Sequence, residues 1–199
     1  MKKKIDMKKV LVVVDVQKDF YHPDGALYVK GGEVLPERIA KVIPEFDEVV
    51  FTVDWHPYNH CSFADNGGIW PVHCVQYTEG ASLPNEFMPY IKTGVEHWTG
   101  ATLVSCNIVE KGALYDTEEY GANSSNIINA LEDKYMEYEY VFSGIAGDYC
   151  VKETIKNFIK NNPKEFVKVY LDGVASIDDG TTIRDFMKEN NIEEWKPQE

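Results

Sequence analysis

The chain has 199 residues and a formal net charge of −13, and 44% of its residues are hydrophobic. This length and composition suit one globular domain and exclude a disordered chain. The acidic balance argues against nucleic acid or an anionic membrane as a partner, because both require a basic surface. The sequence has no apolar run long enough to span a membrane and no secretory signal, and its four cysteines form no CxxC pair. We therefore predict a cytoplasmic protein with reduced thiols.

The first predicted element is a buried strand that ends on an acid. Residues 10–14, VLVVV, are typical of a strand covered on both faces of a parallel sheet, and Asp15 follows them. Ligands gather at the carboxyl ends of such strands, so Asp15 is a candidate site residue, although it could instead cap a turn. Phe20 lies on the same loop. A helix is predicted over residues 34–46, with Pro36 in its first turn.

A second predicted strand, 48–53, also ends on an acid, Asp54. His56 is two residues further on, so an extended chain would place both side chains on one face. His60 and His73 follow in the next loop. Each histidine alone is more often a packing or surface residue, but together they form an Asp/His set. Such a set with open positions suits zinc, iron or manganese, and we predict a metal site here.

The middle of the chain contains an aromatic loop and a third strand end. Residues 66–87 are rich in glycine, proline and aromatic residues, and a connection this long is typical of functional loops. Trp70 in this loop could line a pocket or pack against the sheet. A strand predicted at 107–110 is followed by Lys111, which is either a charge partner for Asp15 and Cys150 or a solvated surface lysine.

Residues 143–154, SGIAGDYCVKET, contain the candidate nucleophile. They follow a strand predicted at 138–142 and indicate a turn and then a helix that begins near Asp148, with Cys150 in its first turn. The helix macrodipole favours a thiolate there and is expected to lower the pKa of Cys150. Unpaired N–H groups at the same helix start could hold an oxyanion. The alternative is a small buried thiol without a chemical role.

The order of these elements predicts the fold class. Strands and helices alternate, which favours a single three-layer α/β/α domain over residues 1–199 with a mostly parallel sheet. Residues 1–8 and 192–199 are predicted to be peripheral tails, the latter with at most an edge strand or a docking segment. The candidate acid, lysine and cysteine would then stand at one edge of the sheet. Further elements are predicted as helices at 123–134 and 181–189 and a strand at 166–171.

Five motifs occur along the chain in one order: DVQKDF, TVDWHPYNHCSF, WPVHCVQYTEGA, EKG and GIAGDYCVKET. With this set the chain resembles the isochorismatase-like cysteine hydrolases, and within them the nicotinamidase branch. The resemblance spans residues 10–171. It implies the isochorismatase-like hydrolase fold, with about six strands in its sheet. It also implies hydrolysis of nicotinamide to nicotinate and ammonia through a cysteine thioester, in NAD salvage.

The same resemblance implies catalytic roles for individual residues. The implied triad consists of Asp15, Lys111 and Cys150. The implied oxyanion donors are the N–H groups of Ala146 and Cys150, which a cis peptide between Ile145 and Ala146 would aim at the oxyanion.

A divalent metal and an aromatic substrate slot are implied as well. The metal, zinc before iron or manganese, would orient the pyridine ring, and its implied ligands are Asp54, His56 and His73, with His60 as a less certain fourth. The aromatic residues that match the substrate slot are Phe20, Trp70 and, with a less well matched motif, Tyr120. The implied partner is a small molecule, and the sequence leaves a homo-oligomer open.

The chain departs from the family pattern in three places. Gly147 stands where a larger residue is usual and is expected to loosen the turn before Cys150. Residues 120–123 are YGAN, where the family usually has a pattern close to Tyr-Ser-Gly/Ala-Phe, and residues 90–107 match no motif. Two other functions stay open at this point. One is a related hydrolase for another small amide or ureido compound, and the other is a ligand-binding member without catalysis.

Overall fold

The computed structural model describes residues 7–98 and 101–198. Its main sheet has six strands, all parallel, in the order β5-β2-β1-β6-β7-β8. Helices cover both faces of this sheet, which confirms the predicted three-layer α/β fold. The strands are β1 (Lys8–Val14), β2 (Glu48–Asp54), β3 (Thr93–Trp98), β4 (Ala101–Cys106), β5 (Ile108–Lys111), β6 (Tyr138–Ile145), β7 (Val167–Ala175) and β8 (Glu193–Glu194).

The central strand β1 shows why an unbroken apolar run was a reliable signal. All its residues from Val10 to Val14 are fully buried. Val10, Val12 and Val14 pack into one core with the helices at Lys152–Ile159 and Thr181–Asn190, while Leu11 and Val13 pack into a second core with the helix at Leu35–Val42 on the opposite face. The helices are α1 (Lys18–Tyr21), α2 (Leu35–Val42), α3 (Ser124–Asn129), α4 (Lys152–Ile159) and α5 (Thr181–Asn190).

Two predicted helices are shorter in the structure. The helix predicted at 34–46 ends at Val42 and continues as a 3₁₀ turn over Ile43–Glu45, because Pro44 has no N–H with which to extend the hydrogen-bond ladder. The helix predicted at 123–134 ends at Asn129. Residues 132–137 are all exposed, so they offer no apolar face that could hold a longer helix against the core.

Two segments differ from a plain alternation of strands and helices. The unmatched stretch 90–107 contains an antiparallel hairpin of β3 and β4. Residues 192–199, predicted as a peripheral tail, supply the edge strand β8, and Trp195 is buried against Phe46 and Tyr170. Within the residues that the structure describes, no helix has both the length and the apolar character needed to cross a membrane.

The sheet topology determines where a site can form. In the sheet, β2 and then β5 lie on one side of β1, and β6, β7 and β8 lie on the other. The connections that leave β1 and β6 therefore diverge and open a crevice at the carboxyl ends of these two strands. Asp15 directly follows β1, and Cys150 lies five residues after the end of β6.

Candidate active site

The structure brings the candidate acid, lysine and cysteine together in this crevice. Lys111 is the last residue of β5, and its Nζ lies 2.8 Å from Asp15 Oδ2 and 3.7 Å from Cys150 Sγ. All three side chains are buried. Thr52 donates a hydrogen bond of 2.6 Å to Asp15 Oδ1. Asp15 Oδ2 has no well-aligned hydrogen bond despite the nearby ammonium, so it keeps a lone pair free to accept a proton.

Lys111 also pairs with Asp54 and therefore holds two carboxylates with one positive charge. Burial disfavours its ammonium form, but the charges of Asp15 and Asp54 outweigh burial and raise the pKa of Lys111 well above its usual value. Burial raises the pKa of Asp15, and Lys111 offsets part of that shift. For Asp54, burial opposes ionisation, but the charge of Lys111 prevails and lowers its pKa.

The structure corrects the prediction of a low pKa for Cys150. Burial raises the pKa of the Cys150 thiol well above its usual range, Lys111 opposes this shift, and the carboxylates of Asp15 and Asp54 add to it. The predicted helix start is a π-helical turn, Gly147–Val151, that precedes α4. The prediction of a lowered pKa for Cys150 was wrong, because it considered the helix macrodipole but neither the burial of the thiol nor the two nearby acids.

The turn before Cys150 also differs from its prediction. The peptide between Ile145 and Ala146 is cis, as the family resemblance implied. Gly147 does not loosen this turn, because a Cβ at Gly147 would overlap Ser176 Oγ and lie only 2.7 Å from Val174 Cγ1. The neighbouring side chains have filled the space of a larger residue.

Asp148 fixes the same turn from the other side. Its carboxylate accepts hydrogen bonds from the N–H groups of Ile177 and Asp178 at 3.0 and 3.1 Å. This contact ties the loop after β7 to the turn that carries Cys150. The turn is thus held by packing at Gly147 and by hydrogen bonds at Asp148.

The predicted metal ligands form a compact group next to the triad. One oxygen or nitrogen atom from each of Asp54, His56 and His73 lies within 4.8 Å of the other two, and all three residues are buried. His56 Nδ1 donates to the Gly112 carbonyl at 2.9 Å, and His73 Nδ1 donates to the Pro71 carbonyl at 2.7 Å.

These two backbone contacts determine which ring nitrogen is free. Each leaves the Nε2 lone pair available, and His56 Nε2 and His73 Nε2 lie 3.5 and 3.9 Å from Asp54 Oδ2. A metal-bound histidine commonly has its other ring nitrogen held in this way. The three residues therefore fit a divalent metal.

The structure does not bring His60 into this group. Its Nε2 donates to the Thr117 carbonyl at 3.0 Å, and its Nδ1 accepts hydrogen bonds from the hydroxyl and the N–H of Ser62. The His60 ring packs on that of His56, with ring centroids 4.0 Å apart. Both ring nitrogens of His60 are thus engaged in three protein hydrogen bonds, and His60 supports His56 by packing.

An aromatic pocket lies over Cys150 and the metal group. It encloses about 440 Å³ including its mouth, and all three predicted aromatic residues, Phe20, Trp70 and Tyr120, line it. Trp70 Nε1 donates to the Tyr120 hydroxyl at 3.0 Å, so these two side chains form one wall. Ala146, the predicted oxyanion donor, lines the same pocket.

Sequence reasoning missed several lining residues. Tyr149 packs edge-on against Trp70, with ring centroids 5.2 Å apart, and its position directly before Cys150 was an available signal. Glu118 and Glu119 lie in a loop without a recognisable pattern, and only the fold brings them to the pocket. The other missed residues are Leu27, Val29, Ser62 and Ile177.

Comparisons with known proteins agree with this arrangement. No family model matches the chain. The nicotinamidase of Saccharomyces cerevisiae is 33% identical over 181 residues, which cover 73% of this chain and 79% of the relative. The nicotinamidase/pyrazinamidase of Mycobacterium tuberculosis is 31% identical over 181 residues, with coverages of 88% and 90%.

Solved structures show the same similarity in three dimensions. The pyrazinamidase of Pyrococcus horikoshii in complex with zinc has a TM-score of 0.76 at 29% identity, over 96% of this chain and 99% of that one. The yeast nicotinamidase Pnc1p bound to the inhibitor nicotinaldehyde has a TM-score of 0.76 at 30% identity, with coverages of 94% and 100%. With this degree of identity and coverage, the chain belongs to the nicotinamidase family of isochorismatase-like hydrolases.

Proposed function

We propose that this chain hydrolyses nicotinamide to nicotinate and ammonia through a thioester on Cys150. The observation that carries the proposal is the position of Lys111, 2.8 Å from Asp15 and 3.7 Å from Cys150, which lines an aromatic pocket. A thiol, a general base and a cation that holds the base are the parts that amide hydrolysis through a covalent intermediate requires.

The first half-reaction forms the thioester. Asp15 takes the proton of the Cys150 thiol, and Sγ attacks the carboxamide carbon. The carbonyl oxygen becomes an oxyanion, for which the N–H groups of Ala146 and Cys150 are the proposed donors. The tetrahedral adduct then collapses, the C–N bond breaks, and Asp15 returns its proton to the departing ammonia.

The second half-reaction releases the acid. Asp15 is again a carboxylate and takes a proton from a water molecule that attacks the thioester carbon. The C–S bond breaks, the proton on Asp15 passes back to the Cys150 sulfur, and the acid product leaves as nicotinate after it gives its carboxyl proton to solvent. Lys111 keeps Asp15 ionised between the steps and stabilises the negative charge on sulfur.

Asp54, His56 and His73 are the residues that would hold a divalent metal, and zinc is the proposed ion because the similar pyrazinamidase structure contains it. When bound, such an ion supplies a Lewis-acid contact for the pyridine nitrogen and so orients the ring. Phe20 and Trp70 are proposed to enclose the flat ring from its sides. Elemental analysis of the purified protein would identify the metal.

Three features of the cellular context belong to the same proposal. The four free thiols and the acidic surface support a cytoplasmic enzyme of NAD salvage whose partner is a small neutral molecule. The acidic surface also supports the absence of nucleic acid and membrane partners. Whether the protein forms a homo-oligomer can be measured by sedimentation.

Steady-state release of ammonia from nicotinamide tests the proposal. Cys150→Ala should lose several orders of magnitude in kcat, because binding alone cannot replace a nucleophile. Cys61→Ala, a change at a thiol outside the pocket, is the matched control and should keep wild-type activity. Pyrazinamide should also turn over, since one similar protein is named for both activities. A wild-type protein that does not hydrolyse nicotinamide but hydrolyses another amide would refute the substrate assignment.

A further inference from the structure

At the end of β2, the backbone has no neighbouring strand on the side that faces β1. The pairing of β1 with β2 stops at Val14 and Thr52, and the Asp15 N–H still reaches the Thr52 carbonyl at 3.0 Å. Asp54 lies two residues further, so its N–H and carbonyl on the β1 side have no strand to pair with. Buried backbone groups need partners, and a side chain must supply them here.

Gln17 supplies both partners. Its Oε1 accepts from the Asp54 N–H at 2.7 Å, and its Nε2 donates to the Asp54 carbonyl at 2.8 Å. The same Nε2 donates to the Ala81 carbonyl at 3.0 Å, and Gln17 is completely buried. The carboxamide thus takes the place of a neighbouring strand and holds the Asp54 backbone in register.

Asp19 holds the second half of the metal group. Its Oδ2 accepts from the Cys74 N–H at 2.7 Å, and its Oδ1 accepts from the Ala26 N–H at 3.1 Å. Cys74 directly follows His73, and the Cys74 carbonyl accepts from the His56 N–H at 3.1 Å. Through the backbone of one residue, Cys74, Asp19 therefore fixes the segment on which both histidines are placed.

We propose that Gln17 and Asp19 are positioning residues for the metal centre: Gln17 sets the place of Asp54, and Asp19 sets the places of His73 and His56. The segment that contributes Asp15 and Phe20 to the pocket thus also aligns the three ligands with them. This inference rests on the metal site proposed above. Outer contacts of this kind typically change metal affinity about 10- to 100-fold when they are removed.

Binding of Co²⁺ to the metal-free protein, followed by its visible absorption spectrum, tests this role without reference to activity. Gln17→Met removes the three hydrogen bonds at similar size and should weaken Co²⁺ binding about 10- to 100-fold and alter the spectrum. Asp19→Asn replaces one carboxylate oxygen with an NH₂ group, which cannot accept a hydrogen bond from the N–H of Cys74 or Ala26. This variant should also weaken Co²⁺ binding. Gln17→Glu keeps the acceptor for the Asp54 N–H but sets a carboxylate oxygen against the Asp54 and Ala81 carbonyls, so it should also weaken Co²⁺ binding.

Asn107 provides a matched control. It is a buried amide that also makes three hydrogen bonds to backbone groups, at Val49, Tyr90 and Lys92, but at the opposite end of the strands. Asn107→Leu should lower the melting temperature as Gln17→Met does, yet it should bind Co²⁺ with the affinity and spectrum of the wild type.

Three results would overturn the inference. Wild-type binding and spectra in both Gln17→Met and Asp19→Asn would show that neither residue positions the ligands. If Asn107→Leu weakens Co²⁺ binding as much as Gln17→Met does, the effect comes from general instability of the protein. If Gln17→Met does not fold, Gln17→Glu and Asp19→Asn decide the question. A wild-type protein that binds no Co²⁺ would instead refute the metal site itself, and this inference with it.

Discussion

Replacement of Lys111 by methionine tests the charge arrangement most directly. Lys111→Met keeps the length of the side chain but leaves the buried carboxylates of Asp15 and Asp54 without their shared cation. Burial and the charge of Asp54 would then raise the pKa of Asp15 further and favour its protonated form. A protonated Asp15 cannot accept the thiol proton, and kcat should fall by about 10²- to 10⁴-fold, the usual contribution of a general base.

The size of the stability effect follows from the geometry. At 2.8 Å, opposite charges attract by about 6 kcal/mol at an effective dielectric constant of about 20. Part of that attraction offsets the desolvation of both ions. Removal of one partner from a buried pair costs about 3–5 kcal/mol, because the other charge stays buried and unpaired. We expect Lys111→Met to lose that amount of unfolding free energy.

A double-mutant cycle isolates the Lys111–Asp15 interaction. Urea unfolding would be measured with a chelator present, for the wild type, Lys111→Met, Asp15→Asn and the double variant. The double variant should be more stable than the sum of the single effects by about 1–3 kcal/mol, since it leaves one unpaired carboxylate fewer. Lys92→Met, which removes a partly exposed ion pair with Glu132, is the control and should cost at most about 1 kcal/mol. Additive effects in the cycle would refute the buried ion pair.

Three further outcomes are expected. Gly147→Ala should lower the free energy of unfolding by about 1–3 kcal/mol through overpacking and should also lower kcat. Adding Ser176→Ala to the same chain should restore part of the stability and part of the kcat. A Gly147→Ala protein with wild-type stability and kcat would contradict the packing around this turn. His56→Ala should strip the metal, as elemental analysis would measure, and raise KM more than it lowers kcat, whereas an unchanged metal content would remove His56 from the ligand set. Burial raises the pKa of Tyr140 to about 12, so the unfolded chain loses this phenol proton at lower pH than the folded protein does. The free energy of unfolding should therefore fall as the pH rises from about 10 to 12. Denaturant titrations of Tyr140→Phe should show a smaller fall than the wild type, and identical pH dependence in the two proteins would exclude the effect.

The sequence alone determined the features that depend on short stretches of chain. A short run of β-branched apolar residues without polar interruption is typical of a strand covered on both faces, which is why VLVVV located β1 and placed Asp15 at a sheet edge. The ordered motifs indicated the family and the candidate residues, since each motif is local and the topology brings strand ends together. The unmatched stretch 90–107 had no such signal, and its hairpin was not predicted.

Only the tertiary structure decided how the site residues act on one another. The direction of the Cys150 pKa depends on burial and on two acids that lie far away in the sequence. The role of His60 depends on the Thr117 carbonyl, and the fit of Gly147 depends on Ser176. Desolvation, hydrogen bonding and packing are set by neighbours in space, and periodicity along the chain does not encode them. A sequence can therefore name the reactive cysteine, whereas its protonation state is a property of the folded crevice.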